Sequence, residues 1–546
     1  MKKNSFIEGT VIATVAIVLT KIMGVIYVIP FYYVIGSLGS ALYAYAYNIY
    51  VIFLEISTAG IPIAISKLVS EYNTLGMLDA KTRSFYIGRK LISIISTIAF
   101  IILFVFAKPV ATLIIGNLKG GNTVGDVTFV IRAISFAVLV IPYLSVAKGY
   151  LQGHNFISPS SKSQVFEQLV RIIVILLGST LALKVFHLPL RTGVGIAVFG
   201  ATAGGLVALL YIHRTINKNK IALSLDTKQK SDDVTNKEIR NKIIKYAIPL
   251  IVISVATSIY NFTDLVLILR TLKYLAFPTS QVEYIATSLT TWAPKIHTII
   301  ESLAMGMSIS IIPTIGAMYA QKNWSEINSK FNKALQIILV ISLPMTIGIA
   351  LLAKPVWNIF YSANPLGSSI LAFSVFKVLF INICIVVTTT MQSLSRFKTI
   401  YKSTITGFVI NALLDVPMML LFYKLSLPVY YGAIVATIIG YIGAIMIVLR
   451  DLQHVHKMDY SNTAVLFKKI LVPTLTMIVV MVGLKTLFPF QALGRLSALI
   501  YGSIFSLVGG LVYLGIAYKM KILQDIFGGK LINKIIKKLT FGKISN

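Results

Sequence analysis

Ala107-Lys108-Pro109-Val110 returns 246 residues later as Ala353-Lys354-Pro355-Val356. At the same offset Gly60 meets Gly306 and Phe85 meets Phe331, with no gap. Each copy lies in a series of six long apolar runs, so the chain reads as a duplicated six-span membrane unit. Duplications of this kind place a solute path between two similar halves. Transport is therefore the first functional expectation.

Composition supports a membrane class. The chain has 546 residues, 56% of them hydrophobic, and a mean hydropathy of +0.83. Apolar runs long enough to cross about 30 Å of hydrocarbon recur from end to end. Fourteen spans are expected, from one centred near Ala16, through an eighth near Gly306, to a last near Ser506. Lipid cannot satisfy open backbone groups, so an all-α integral membrane fold follows. Lys2 and Lys3 imitate a signal peptide, but the run behind them is too long and lacks a small-residue cleavage site, so it reads as a retained first helix. The single cysteine, Cys384, excludes a disulfide or cysteine-bound metal within one chain.

The net charge is +32. With the N-terminus placed in the cytoplasm, cytoplasmic tails and loops carry 34 Lys and Arg against 9 in external loops. That asymmetry obeys the positive-inside rule, puts both termini inside, and removes nucleic acid as a partner. The basic tail (Lys530, Lys534, Lys537, Lys538) is expected on anionic membrane lipid.

The expected organisation is an N-lobe of six spans (1–216), a polar linker (217–242), a C-lobe of six spans (243–450), two further spans (451–519) and a basic tail (520–546). Because each repeat has an even number of spans, the two copies face the same way, as parallel repeats.

Seven ionic residues fall inside spans: Lys21, Glu55, Glu167, Arg171, Asp264, Glu301 and Asp415. A charge at the bilayer centre costs about 2.5–3.5 kcal/mol on insertion scales, so these must face one another or water. Lys21 is a fixed cation suited to an anionic head group. Glu167 and Arg171 are four apart, on one helix face, and Gln164 and Gln168 extend the stripe. That stripe reads either as a buried structural pair or as a wall of hydrogen-bonding groups for a sugar. Asn411 and Asp415 repeat the spacing and offer the oxygen donors hard cations prefer. With Asp264 and a hydroxyl such as Thr437 they form an expected Na⁺ or H⁺ site, or an inter-helix hydrogen-bond cluster. Lys295 and Glu301 flank His297 on adjacent turns, and Glu55 and Glu301 fit either role. Lys67, Lys108, Arg132, Lys295 and Lys377 lie nearer span ends, where snorkelling is the default. No P-loop exists, since Gly528-Gly529-Lys530 is followed by Leu531, and no H-E-x-x-H motif is present. External loops hold few acids, chiefly Asp126 and Glu283.

GYLQGHNFISPSSKSQVFEQLVRI (149–172) and SKLVSEYNTLG (66–76) resemble the polysaccharide-biosynthesis and stage V sporulation branch of the multidrug/oligosaccharidyl-lipid/polysaccharide exporter superfamily, which also contains the fourteen-span lipid II flippases. The resemblance implies flipping of undecaprenyl-pyrophosphate-linked glycans in the bacterial cytoplasmic membrane, with the cell-wall synthesis machinery as a further partner. Thr20-Lys21-Ile22-Met23-Gly24 is similar to the first-span Ser-Arg-x-x-Gly of those flippases, which gives Lys21 a pyrophosphate-binding role. Their next arginine is here Tyr27, the second-span arginine region holds Glu55, and Lys295 matches the eighth-span arginine loosely. Asn411-x-x-x-Asp415 resembles a cation site of the second lobe in some relatives. The expected function is a flippase for lipid II or another lipid-linked oligosaccharide. It works by alternating access and is not an enzyme. It needs no cofactor, and Na⁺ or H⁺ is the coupling ion considered. The alternatives are a cation-coupled multidrug exporter, which usually lacks the extra pair of spans, a membrane-bound cell-wall polymerase or ligase, and a non-transporting envelope scaffold.

Overall fold

The computed structural model describes residues 6–116, 121–220, 223, 225, 232–491 and 494–529. The basic tail residues Lys530, Lys534, Lys537 and Lys538 lie outside them. All regular structure among the described residues is helical. The first copy comprises α1 (Phe6–Ile26), α2 (Val28–Thr58), α3 (Ile61–Thr74), α4 (Leu78–Val105), α5 (Ala107–Ile115), α6 (Val124–Gly153), α7 (Ile157–Ile173) and α8 (Leu190–Lys218). Between α7 and α8 the helix widens to π geometry over Val174–Gly178 and Leu181–Val185. The second copy comprises α9 (Asn236–Tyr274), α10 (Thr279–Thr287), a π-helical stretch Ser288–Trp292, α11 (Ala293–Ala320), α12 (Trp324–Leu351), α13 (Ala353–Phe360), α14 (Pro365–Ser374), α15 (Phe376–Ser393), α16 (Phe397–Lys424) and α17 (Val429–His456). The extra pair is α18 (Ser461–Leu487) and α19 (Arg495–Lys519), closed by α20 (Ile522–Phe527).

The duplication is written in the backbone. The two Ala-Lys-Pro-Val strings open α5 and α13, each after a long helix that stops at one non-helical residue, Phe106 (φ −85°, ψ 11°) or Leu352 (φ −99°, ψ 19°). Proline is tolerated in that first turn because its missing N–H would have no intrahelical acceptor there. The turns ahead of α4 and α12 use left-handed residues 246 apart, Gly76 (φ 71°) and Lys322 (φ 56°).

Twelve helical stretches among the described residues are long and apolar enough to cross a membrane. The expected spans centred on Ala16 and Gly306 fall on α1 and α11. The described apolar part of α1 is only Val15–Ile26, and some α11 side chains are outside the described set.

The chain divides into two compact units, Met1–Trp292 and Ala293–Asn546. In the first, Leu68, Tyr72, Phe85, Tyr150, Ile212 and Ile243 form a buried cluster that joins α3, α4, α6, α8 and α9. Gly60, ahead of α3, sits so close to α9 that a Cβ would lie 2.2 Å from the Ala247 carbonyl oxygen, so only glycine fits. The segment before α9 is fastened to the start of α4. The Asp232 carboxylate accepts from the Ala80 N–H at 2.8 Å, and Arg83 pairs with Asp79 at 2.7 Å and donates to Asn236 at 3.0 Å.

In the second unit, α18 and α19 pack on α12 around Val340, Ile470, Met477, Phe505 and Tyr513. The Tyr513 hydroxyl donates to the Val340 carbonyl at 2.7 Å, and the Thr463 hydroxyl donates to Asn332 at 2.6 Å. Ahead of α18, hydrogen bonds from Ser461 hold the Asp459 carboxyl below its usual range.

Candidate functional site

The first unit gathers a polar wall on α1, α2, α6 and α7. Glu167 is its centre: one carboxylate oxygen accepts from Lys148 of α6 at 3.0 Å and the other from Arg171 at 2.9 Å. The four-residue spacing of Glu167 and Arg171 therefore does make an ion pair, and Lys148, which the spacing could not reveal, completes it. Gln164 and Gln168 are half-buried on the same helix.

Lys21 lies on α1, which packs along α7. A Cβ on Gly24, one turn further on, would stand 3.5 Å from the Gln168 amide nitrogen, so the two helices meet within a turn of Lys21. The Lys21 side chain is exposed and has no ion pair or hydrogen bond among the described residues. Tyr43, Tyr47 and Tyr50, at helical spacing on α2, lie close enough to Arg171 to interact with its charge, as does Tyr27. Arg171 thus brings a cation to the place where Tyr27 supplies none. The repeating tyrosines of Tyr43-Ala44-Tyr45-Ala46-Tyr47 through Tyr50 were the available signal for this aromatic side of the wall.

Glu55 is half-buried on α2 and accepts a hydrogen bond from Ser254 of α9. Asp264 is buried on α9, in the first unit. Lys295 and Glu301 belong to α11, in the second unit, and are half-buried. His297 is fully buried between them, with its Nε2 3.3 Å from the Ser374 hydroxyl, a packing role. Lys377 is 8% exposed rather than snorkelling, because it lies near the middle of the membrane-length stretch Pro365–Ser393 and not at its end.

Asn411, Asp415 and Thr437 share the seam between α16 and α17, all buried. The register follows from close backbone approach: a Cβ on Gly407 would stand 2.9 Å from the Gly440 oxygen, and one on Gly432 would stand 2.5 Å from Met418. These antiparallel contacts bring Asn411 level with Thr437. Among the described residues no three His, Cys, Asp or Glu side chains form a metal-binding group. The donor set here is a carboxylate, an amide and a hydroxyl, which suits a hard monovalent ion more than a transition metal.

Glu283, expected in an external loop, lies instead on helix α10 and is buried. It is 3% exposed and accepts from Tyr45 of α2 at 3.2 Å and from the Asn122 backbone and side chain at 3.2 and 3.1 Å. Two turns on, the Asn48 amide donates to Thr291 at 2.8 Å. These bonds bind α10 and its π-helical extension to α2. Glu283→Leu is expected to destabilise the protein by about 2–4 kcal/mol, because it strips the acceptor from buried donors, and Glu283→Gln to recover about half. Thermal unfolding in detergent measures this, and an unchanged midpoint in the leucine variant would contradict the role given to the carboxylate.

Residues 6–319 match the family model described as polysaccharide biosynthesis protein. The chain belongs to that family. Residues 283–416 also match the MatE model. The chain is 31% identical over 540 residues to the lipid II flippase MurJ of Bacillus subtilis (strain 168), covering 97% of this chain and 98% of that protein. It is 24% identical to stage V sporulation protein B of the same organism over 62% of this chain and 64% of the relative. In fold it is similar to a solved lipid II flippase MurJ in an inward closed conformation (TM-score 0.64, 18% identity, 94% of this chain and 99% of that one). The chain is thus a multi-pass membrane protein of flippase type, related to transporters rather than to enzymes.

Proposed function

We propose that this chain flips an undecaprenyl-pyrophosphate-linked cell-wall precursor, lipid II first among them, across the bacterial cytoplasmic membrane by alternating access, with both termini inside. The end-to-end relationship to a lipid II flippase carries this reading. The arrangement of the polar wall supports it: an uncommitted Lys21 for pyrophosphate, and amides, a carboxylate and tyrosine hydroxyls at the same face for sugars. Membrane potential suffices as a drive, since moving about two negative charges outward at 100 mV, inside negative, yields roughly 4–5 kcal/mol. Asn411, Asp415 and Thr437 are the groups we propose for a coupling Na⁺ or H⁺. The MatE match favours a cation-coupled exporter as second reading, while the α18–α19 pair and the full-length relationship favour the flippase.

Depletion of the protein in its host, followed by identification of the lipid-linked precursor that builds up on the inner leaflet, tests the proposal. Accumulated lipid II is the expected result, and another undecaprenyl-linked glycan would reassign the substrate. Unchanged precursor pools with lost drug efflux would overturn the flippase in favour of the exporter.

A further inference from the structure

Away from the polar wall, α4, α6 and α8 enclose a cleft of about 390 Å³ at the end of the first unit where α4 begins and α6 and α8 finish. Its floor is apolar, with Phe85 and Ala147 among the lining residues, and its polar lining includes Arg89, His213 and Lys220. Among the described residues no carboxylate lines it. Arg89 lies 5.7 Å from the Phe85 ring centre, and neither Arg89 nor Lys220 forms an ion pair among the described residues. His213 is fixed by the Asn217 side chain, 2.9 Å from its Nε2. Tyr86 and Leu210, also lining the cleft, are 54% and 58% exposed.

Two cations with no ion pair among the described residues, beside an apolar floor and with aromatic and aliphatic side chains open to the surroundings, match one class of ligand. A phosphate diester would pair with Arg89 and Lys220, and an acyl chain would lie along Tyr86 and Leu210. A soluble anion would leave the apolar surface without a partner. Three further cations, Lys90, Arg214 and Lys218, are exposed at the same end of these helices, which the charge bias of the sequence assigns to the anionic inner leaflet. We propose that this cleft binds the phosphate head group of an anionic phospholipid. The inference is independent of what the protein transports, because none of its residues belongs to the wall of Lys21 and Glu167.

Native mass spectrometry of the purified full-length protein, loaded with phosphatidylglycerol or phosphatidylcholine, tests it. Phosphatidylglycerol is expected to be retained in preference, and the double variant Arg89→Gln/Lys220→Gln to lose that retention at least about fivefold. The control Lys468→Gln/Lys469→Gln, two exposed lysines on α18, is expected to retain the lipid as wild type does. Should the double variant not fold, Lys220→Gln alone, at an exposed helix end, is expected to lose about half. Retention unchanged in the Arg89/Lys220 variants, equal loss in the control, or displacement of the lipid by millimolar inorganic phosphate would each overturn the proposal.

Discussion

Lys21→Ala is expected to lower transport of a lipid-linked pyrophosphate at least about tenfold while leaving the protein as stable as before. A charged hydrogen bond to phosphate is worth about 1.5–3 kcal/mol, which sets the transport loss. The stability side follows from the position. Lys21 lies in the apolar stretch Val15–Ile26 and makes no bond within the described residues, so its removal breaks nothing in the fold. Because the side chain is exposed, its removal opens no cavity and leaves no partner unpaired among the described residues. An exposed cation inside a span that joins no internal network is what a ligand-facing group looks like. Lys21→Arg should keep most of the activity, because the charge remains. The measurement is flipping of a fluorescent lipid-linked substrate in proteoliposomes, alongside the melting temperature of each variant. A wild-type rate in the alanine variant would remove the anion role of Lys21.

What the sequence revealed and what it hid divide along a physical line. Ala-Lys-Pro-Val and the Glu167/Arg171 pair were legible because they are local: a helix start and a four-residue spacing. The seam of Asn411 and Asp415 was legible for the same reason, and Thr437 joined it through helix register. Lys148 was missed because its pairing with Glu167 crosses the turn between α6 and α7, where helical spacing has no meaning. Glu283 was misread because its partners are 161 and 238 residues away, and a carboxylate near a span end looks exposed until those partners are known. The same bonds explain why the first compact unit runs on to Trp292. Composition marks hydrophilic linkers, whereas Glu283 and Thr291 bind the start of the Thr279–Ala320 helical run to α2.

Glu167→Ala is expected to be the most damaging single change in the first unit. It leaves Lys148 and Arg171 facing each other with no anion between them, at side-chain exposures of 17% and 26%. Removing one partner of a buried pair costs about 3–5 kcal/mol, and the partial exposure here argues for the lower end. The melting temperature and the yield of inserted protein should both fall. That result alone does not separate a structural lock from a substrate wall, because either role needs Glu167. The triple variant Lys148→Met/Glu167→Met/Arg171→Met does. Replacing a whole ionic cluster by apolar side chains of similar size is often neutral, or stabilising by about 1–4 kcal/mol, so the triple variant should regain the stability lost in Glu167→Ala. If Arg171 and Glu167 bind the head group, flipping stays lost in that folded variant. If the triple variant flips lipid at the wild-type rate, the cluster is a lock only, and the wall formed with Gln164, Gln168 and the α2 tyrosines has no part in recognition.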